Sequence, residues 1–236
     1  ALLWTLDPST ERYDANRAGL RGYFPDGPRS ESDFLVACLG DSCTFGSTLR
    51  YEDVYGVRLE RMLQTRLADR RVRSVLGACP GYSSEQVRRL YEERIAAFEP
   101  DVTVLYVGQW NDYMPAVGLS DAEWGREPAG SRLLRFLQRA RGVDPDAPLP
   151  REEYFAAWGE GGAPHGRRVP LAEFEANVRA ILMQARDVGS LAVVIVPPLP
   201  ASSVAARPVA LDYRAVVRTV AEEGSALVVD APALFE

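Results

Sequence analysis

The chain has 236 residues, with 27 basic side chains against 33 acidic ones and a formal net charge of −6. Every basic residue is arginine, which excludes Schiff-base chemistry, a P-loop lysine and any lysine nucleophile. His165 is the single histidine, which excludes a multi-histidine metal site, and the acidic balance argues against nucleic acid as a partner. Apolar residues make up 47% of the chain, enough for a sizeable core in one domain spanning 1–236. The longest strongly apolar run, Leu191–Val196, is far shorter than the roughly 20 residues a membrane-spanning helix needs. Cys38, Cys43 and Cys79 are too few for a disulfide framework, are not spaced as a zinc site, and read as small buried thiols.

In chain order, residues 1–31 are rich in Gly, Pro, Asp and Arg and read as an irregular lead-in. Phe34–Leu39 is a short apolar run ended by Gly40-Asp41-Ser42, the pattern of a strand buried on both faces. Glu52–Asp69 carries apolar residues at helical spacing with arginines opposite, and Val72–Leu76 is a second short strand. Ser84–Phe98 reads as one helix, with Ser83 or Ser84 as its N-cap and Pro100 just past its end. Val102–Val107 is a strand dominated by β-branched residues.

Residues 113–170 break the alternation, with only short helical patches at Ser131–Arg141 and Arg151–Trp158. They read as an insertion, and loops of that length after a strand serve more often as lids or substrate-binding elements than as filler. Leu171–Val188 is an amphipathic helix, Leu191–Val196 a buried strand, Val209–Glu223 a helix and Ala226–Val229 a last strand. Strands alternating with helices of this length indicate right-handed βαβ units. The expected fold is therefore a three-layer α/β/α sandwich on a parallel, flavodoxin-like sheet of about five strands.

Three motifs follow the first three strands: Gly40-Asp-Ser-Cys-Thr-Phe-Gly46, Gly77-Ala-Cys-Pro-Gly-Tyr-Ser-Ser84 and Gly108-Gln-Trp-Asn-Asp112. In open parallel sheets ligands bind at the carboxyl ends of the strands where the strand order reverses, so an order 2-1-3 would bring these loops to one crevice. Their chemistry suits acyl transfer. Ser42 at a tight strand-to-helix turn can act as a nucleophile. The Ser42 N–H, the Gly81 N–H and the Asn111 side-chain amide could hold a developing oxyanion, each worth roughly 2.7–4 kcal/mol in a comparable hole. Singly, each motif also has an ordinary structural reading as a turn or cap; jointly, in this order, they point to a site. Trp110, Trp124 and Trp158 read equally as pocket lining or as packing residues.

Here the sequence resembles the SGNH (GDSL-type) hydrolase family. Ser42 matches its block I nucleophile, Gly81 its block II oxyanion donor and Asn111 its block III donor in a G-x-x-N-D setting. Asn16-Arg-Ala-Gly-Leu-Arg-Gly22 is similar to the lead-in found before block I in many bacterial envelope-associated members. Arg168–Phe174 through Pro197-Pro198, and Val228-Val-Asp230, resemble that subfamily's later helix and strands. The resemblance implies a serine esterase or O-acyltransferase acting on acetyl or other short acyl esters, including those of carbohydrate. It implies no metal or organic cofactor, a small-molecule or carbohydrate ester as partner, and an extracytoplasmic location.

One departure stands out. The family's fourth block, Asp-x-x-His, which supplies the general base and its orienting carboxylate, occurs nowhere in the chain, and the base is expected beyond Glu236. His165 is the internal alternative, although Gly162 stands where the family has Asp, and an exposed loop histidine is its more ordinary reading. Asp230 matches a carboxylate of the subfamily that has no part in catalysis. Two other classes stay open on the same fold: a carbohydrate- or acyl-binding module without a base, and a doubly wound binding domain of the flavodoxin or response-regulator type.

Overall fold

The computed structural model describes residues 14–27, 29–116, 120–126 and 166–235. One parallel sheet is built from β1 (Asp33–Gly40), β2 (Arg71–Ala78), β3 (Val102–Tyr106), β4 (Leu191–Val196) and β5 (Leu227–Asp230), in the order β2-β1-β3-β4-β5. The helices in chain order are α1 (Ser42–Phe45), α2 (Tyr55–Arg66), α3 (Ser84–Leu90), α4 (Trp110–Tyr113), α5 (Asp121–Arg126), α6 (Leu171–Asp187), α7 (Ala201–Ala206), α8 (Ala210–Glu223) and α9 (Ala231–Phe235). None of the described helices is long and apolar enough to cross a membrane.

Alternation along β1 divides the core. Leu35, Ala37 and Leu39 face a large cluster formed with α3, α6 and α8, in which Val87, Phe174, Ile181 and Val217 are fully buried. Val36 and Cys38 face a smaller cluster under α2, with Val54, Val57 and Leu76. Helices on both faces leave the central strands apolar on both sides, which is why they read as continuous runs rather than as alternating ones. The three-layer sandwich expected from the sequence is therefore the fold.

The register matters most for function. Gly40 is opposite Ala78 on β2 and opposite Tyr106 on β3, so the first three strands end on one rung of the sheet. The loops that follow them leave side by side, and β1/β3 is the point where the strand order reverses.

Several elements differ from expectation. The helix expected over Ser84–Phe98 is α3 followed by a π turn at Tyr91–Ile95 and a 3₁₀ turn at Ala96–Phe98. Tyr91 and Ile95 of the π turn are both buried, with Tyr91 Oη 3.1 Å from Thr103 Oγ1 on β3, a contact that local periodicity does not encode. The helix expected from Glu52 begins at Tyr55, because Val54 is extended (φ −65°, ψ 135°) and fully buried. Short helices α1, α4, α7 and α9 lie in segments read as loops, being too short to show a period.

The lead-in is irregular but packed. Asn16 Oδ1 accepts the N–H groups of Ala18 (2.9 Å) and Leu20 (3.1 Å), and its Nδ2 donates to the Gly22 carbonyl at 2.9 Å. That loop drives Leu20 and Arg21 into the interior. The ends of the expected insertion form a neck: Ala116 N–H donates to Gly166 O, Arg168 N–H to Met114 O and Val169 N–H to Asp112 O. The helical patches at 131–141 and 151–158, with Trp158 and His165, lie outside the described residues.

Candidate active site

Gly40 is the last residue of β1 because nothing larger fits. A Cβ there would lie 2.2 Å from Thr44 Oγ1 and 2.6 Å from the Tyr106 backbone oxygen. The chain then turns sharply into α1. Asp41 is its N-cap: Oδ1 accepts the Cys43 N–H at 2.9 Å, and the Asp41 carbonyl accepts the Phe45 N–H. Ser42 opens the helix half-buried, at the carboxyl end of β1.

Arg21 holds this turn from behind. Its guanidinium, 3% exposed, donates to the carbonyls of Phe45 (2.9 Å), Gly46 (2.8 Å) and Leu49 (3.0 Å), and lies 5.3 Å from the centre of the Phe45 ring. Phe45 ends α1, so its carbonyl lacks an intrahelical partner, whereas the Gly46 carbonyl also accepts the Leu49 N–H at 3.0 Å. The conformation of the Ser42 turn is thus set partly by a residue 21 positions upstream.

The third loop meets the first. Asn111 Nδ2 donates to Asp41 Oδ2 at 3.1 Å, which leaves the second amide hydrogen free to point elsewhere. Cys43 Sγ donates to Gln109 Oε1 at 3.0 Å, a second bond between the same two loops. Cys43 is exposed rather than buried, and all three cysteines are free thiols. Partial desolvation of the sulfur where it meets the Gln109 loop, and the nearby Asp41 carboxylate, push the Cys43 thiol up to about 11, so at neutral pH it is protonated and a poor nucleophile.

Asp112 joins the third loop to the second. Its Oδ1 accepts the Ser84 N–H at 2.7 Å and its Oδ2 the Gly108 N–H at 3.3 Å. It therefore does for α3 what Ser83 or Ser84 was expected to do: Ser83 occupies the N-cap position but sends its Oγ to Asp121 instead. Burial raises the Asp112 carboxyl to about 6, with the Ser84 bonds and the Arg168 charge acting against the shift. Asp41 is also raised by burial, offset by its bonds from Cys43 and Asn111.

The second loop is a tight turn. Tyr82 N–H donates to the Cys79 carbonyl at 3.1 Å, Pro80 and Gly81 are the central residues, and Gly81 has φ +84°. Proline then positive-φ glycine is the signature of a type II turn, so the Pro80-Gly81 dipeptide was a legible signal for this geometry. Ser42, Gly81 and Asn111 thus sit on three neighbouring loops at one end of the sheet, as the sequence led us to expect. Asp41, Asp112, Arg21 and Arg168 are the supporting residues that motif reading did not single out.

Trp110, the residue before Asn111, lies under the Arg207 guanidinium, 4.3 Å from ring centre to charge. The side chains of Trp124 and His165 lie outside the described residues, as does Trp158. Asp230 pairs with Arg218 at 2.6 Å on the far side of the sheet order from β1.

Solved structures share this fold at low sequence identity. Axe2, an acetylxylan esterase from Geobacillus stearothermophilus, is 19% identical with a TM-score of 0.52, covering 87% of this chain and 78% of its own. LAE5, described as an alpha/beta hydrolase enzyme from the metagenome of Lake Arreo, is 18% identical with a TM-score of 0.51 over 87% and 79%. A lipase/acylhydrolase from Enterococcus faecalis is 14% identical with a TM-score of 0.50 over 85% and 77%. No curated protein matches the sequence. The model of the GDSL-like lipase/acylhydrolase family matches residues 38–236, which include all three strand-end loops, and the chain belongs to that family of ester-cleaving proteins.

Proposed function

We propose that the protein is a serine ester hydrolase in which Ser42 is the nucleophile and that its substrates are acetyl or other short O-acyl esters. The observation that carries the reading is the Asn111–Asp41 contact. It sets a side-chain amide donor beside the residue that precedes the serine, at the strand-order reversal where such sheets bind ligands. In this reading Ser42 Oγ attacks the acyl carbon, and the new oxyanion takes hydrogen bonds from the Ser42 N–H, the Gly81 N–H and Asn111 Nδ2. The Ser42 proton passes through a base to the departing alcohol. Water then cleaves the acyl-enzyme, releasing the acid and restoring Ser42.

An acetylxylan esterase among the proteins of like fold makes O-acetylated carbohydrate the first substrate class to test. Transfer to a sugar hydroxyl in place of water uses the same acyl-enzyme and differs only in the acceptor.

The test is hydrolysis of an aryl acetate by the 236-residue chain beside its Ser42→Ala variant. Loss of a triad's nucleophile costs on the order of 10⁶ in kcat, so Ser42-dependent turnover is unmistakable. Turnover that is the same in both proteins shows that no base within these 236 residues serves Ser42; the same result in a chain that also carries an Asp-x-x-His block overturns the hydrolase reading and favours a binding module that uses the same crevice. Adding an acetylated xylo-oligosaccharide, and then a free sugar as acceptor, separates hydrolysis from transfer.

A further inference from the structure

Gly81 has no side chain by which its position can be fixed. Its N–H must stay available if it is to face an oxyanion, so its carbonyl is the one polar handle left. That carbonyl accepts a hydrogen bond from Arg168 Nη1 at 3.0 Å. The rest of the Arg168 fork is spent on one carboxylate: Nε donates to Asp121 Oδ1 at 3.1 Å and Nη2 to Asp121 Oδ2 at 2.7 Å. Ser83 Oγ donates to the same Oδ2 at 2.7 Å, so the second loop is held on both sides of Tyr82. The Asp121 N–H donates to the Arg168 carbonyl at 2.8 Å, closing the arrangement.

The pair is well shielded, with side-chain exposures of 15% for Arg168 and 5% for Asp121. A bidentate guanidinium–carboxylate contact in such surroundings is directional as well as strong, and breaking one partner leaves the other charge buried. Arg168 leaves the neck of the 113–170 insertion and Asp121 opens α5 within it. These two anchors of the Gly81 turn, Arg168 and Asp121, are therefore contributed by the insertion's base, not by the sheet.

We propose that Arg168, oriented by Asp121, is a positioning residue for the Gly81 N–H. The type II turn sets the direction of that N–H, and the clasp sets where the turn stands relative to Ser42. The inference rests on the oxyanion role given to Gly81 above. It assigns to the insertion's base a part in the site that the three motifs do not carry.

The test uses Arg168→Gln, Arg168→Lys and Asp121→Asn in the full chain, with Arg71→Gln as a control. Arg71 pairs with Asp33 at the opposite end of β1 and β2, so its loss affects stability without touching the site. Two readouts are taken: aryl acetate kinetics, and the ¹⁵N order parameter and amide shift of Gly81. A displaced donor costs rate through the transition state, so Arg168→Gln should lower kcat about 10- to 100-fold with KM within about threefold. The Gly81 amide should shift, and its order parameter should fall from about 0.85 to below about 0.6. Lysine keeps the charge but reaches fewer of the acceptors, so Arg168→Lys should lie between wild type and Arg168→Gln in both readouts.

A Gly81 amide unchanged in folded Arg168→Lys and Asp121→Asn overturns the proposal. So does an equal disturbance in Arg71→Gln. If Arg168→Gln does not fold, the lysine and Asp121 variants carry the same measurements. If wild type and Ser42→Ala hydrolyse the ester equally, no base within these residues serves Ser42 and the kinetic arm is silent, while the Gly81 amide still decides whether Arg168 holds the turn.

Discussion

Asn111 and Asp41 are joined by a 3.1 Å hydrogen bond that spans 70 positions of sequence, so the residue before the candidate nucleophile orients the candidate oxyanion donor. The carboxylate is buried and shares its other oxygen with the Cys43 N–H, so it cannot swing away to solvent. One of the two amide hydrogens of Asn111 is thereby committed, and the other is directed.

Asp41→Ala should accordingly release Asn111 and lower kcat by about tenfold or more while KM changes little, because only a transition-state interaction is lost. Asn111→Ala removes the donor itself and should cost about 10²–10³ in kcat. Steady-state kinetics on an aryl acetate check both. An Asp41→Ala enzyme with full kcat would show that the contact does not orient a working donor.

The Gly40 position admits no side chain without moving the backbone oxygen of Tyr106. Gly40→Ala should destabilise the fold by roughly 1–3 kcal/mol, the usual cost of overpacking, and should displace Ser42 along with it. Urea denaturation gives the first quantity and residual hydrolysis the second. A fully stable, fully active Gly40→Ala protein would mean the strand end is looser than its contacts indicate.

Asp112 links stability to pH with a definite sign. Its folded-state value near 6 lies above the ordinary 3.8, so between those limits the folded chain binds more proton than the unfolded one. Its contribution to stability is then greatest at low pH and is lost as pH rises from about 4 through 6. Wild type should gain on Asp112→Asn as pH is lowered from 7 to 4, measured as the difference in unfolding free energy. A gap that narrows over that range contradicts the assignment.

Arg21 reaches the Ser42 turn with three backbone hydrogen bonds. Arg21→Met should leave those carbonyls short of donors and cost about 3 kcal/mol, the scale of one or two unsatisfied buried groups. Arg21→Lys, with a point charge in place of a fork, should recover only part of it. Thermal and urea unfolding of the two variants distinguish this from a surface arginine, whose loss would be within about 0.5 kcal/mol.

The sequence by itself determined the five strands, their parallel arrangement and the three motifs at their ends. Each of these is local: a buried strand such as Val102–Tyr106 declares itself by a run of β-branched residues, and helices α6 and α8 by the spacing of their apolar faces. It likewise determined that Ser42, Gly81 and Asn111 belong to consecutive strand ends. Tertiary structure alone decided what surrounds them. The π turn after α3, the capping of α3 by Asp112, the seat of Arg21 behind the Ser42 turn and the hold of Arg168 on Gly81 all join residues from 12 to 87 positions apart. No window of sequence contains both partners of such a bond. A buried carboxylate or guanidinium also looks like a surface charge until packing has removed the water around it.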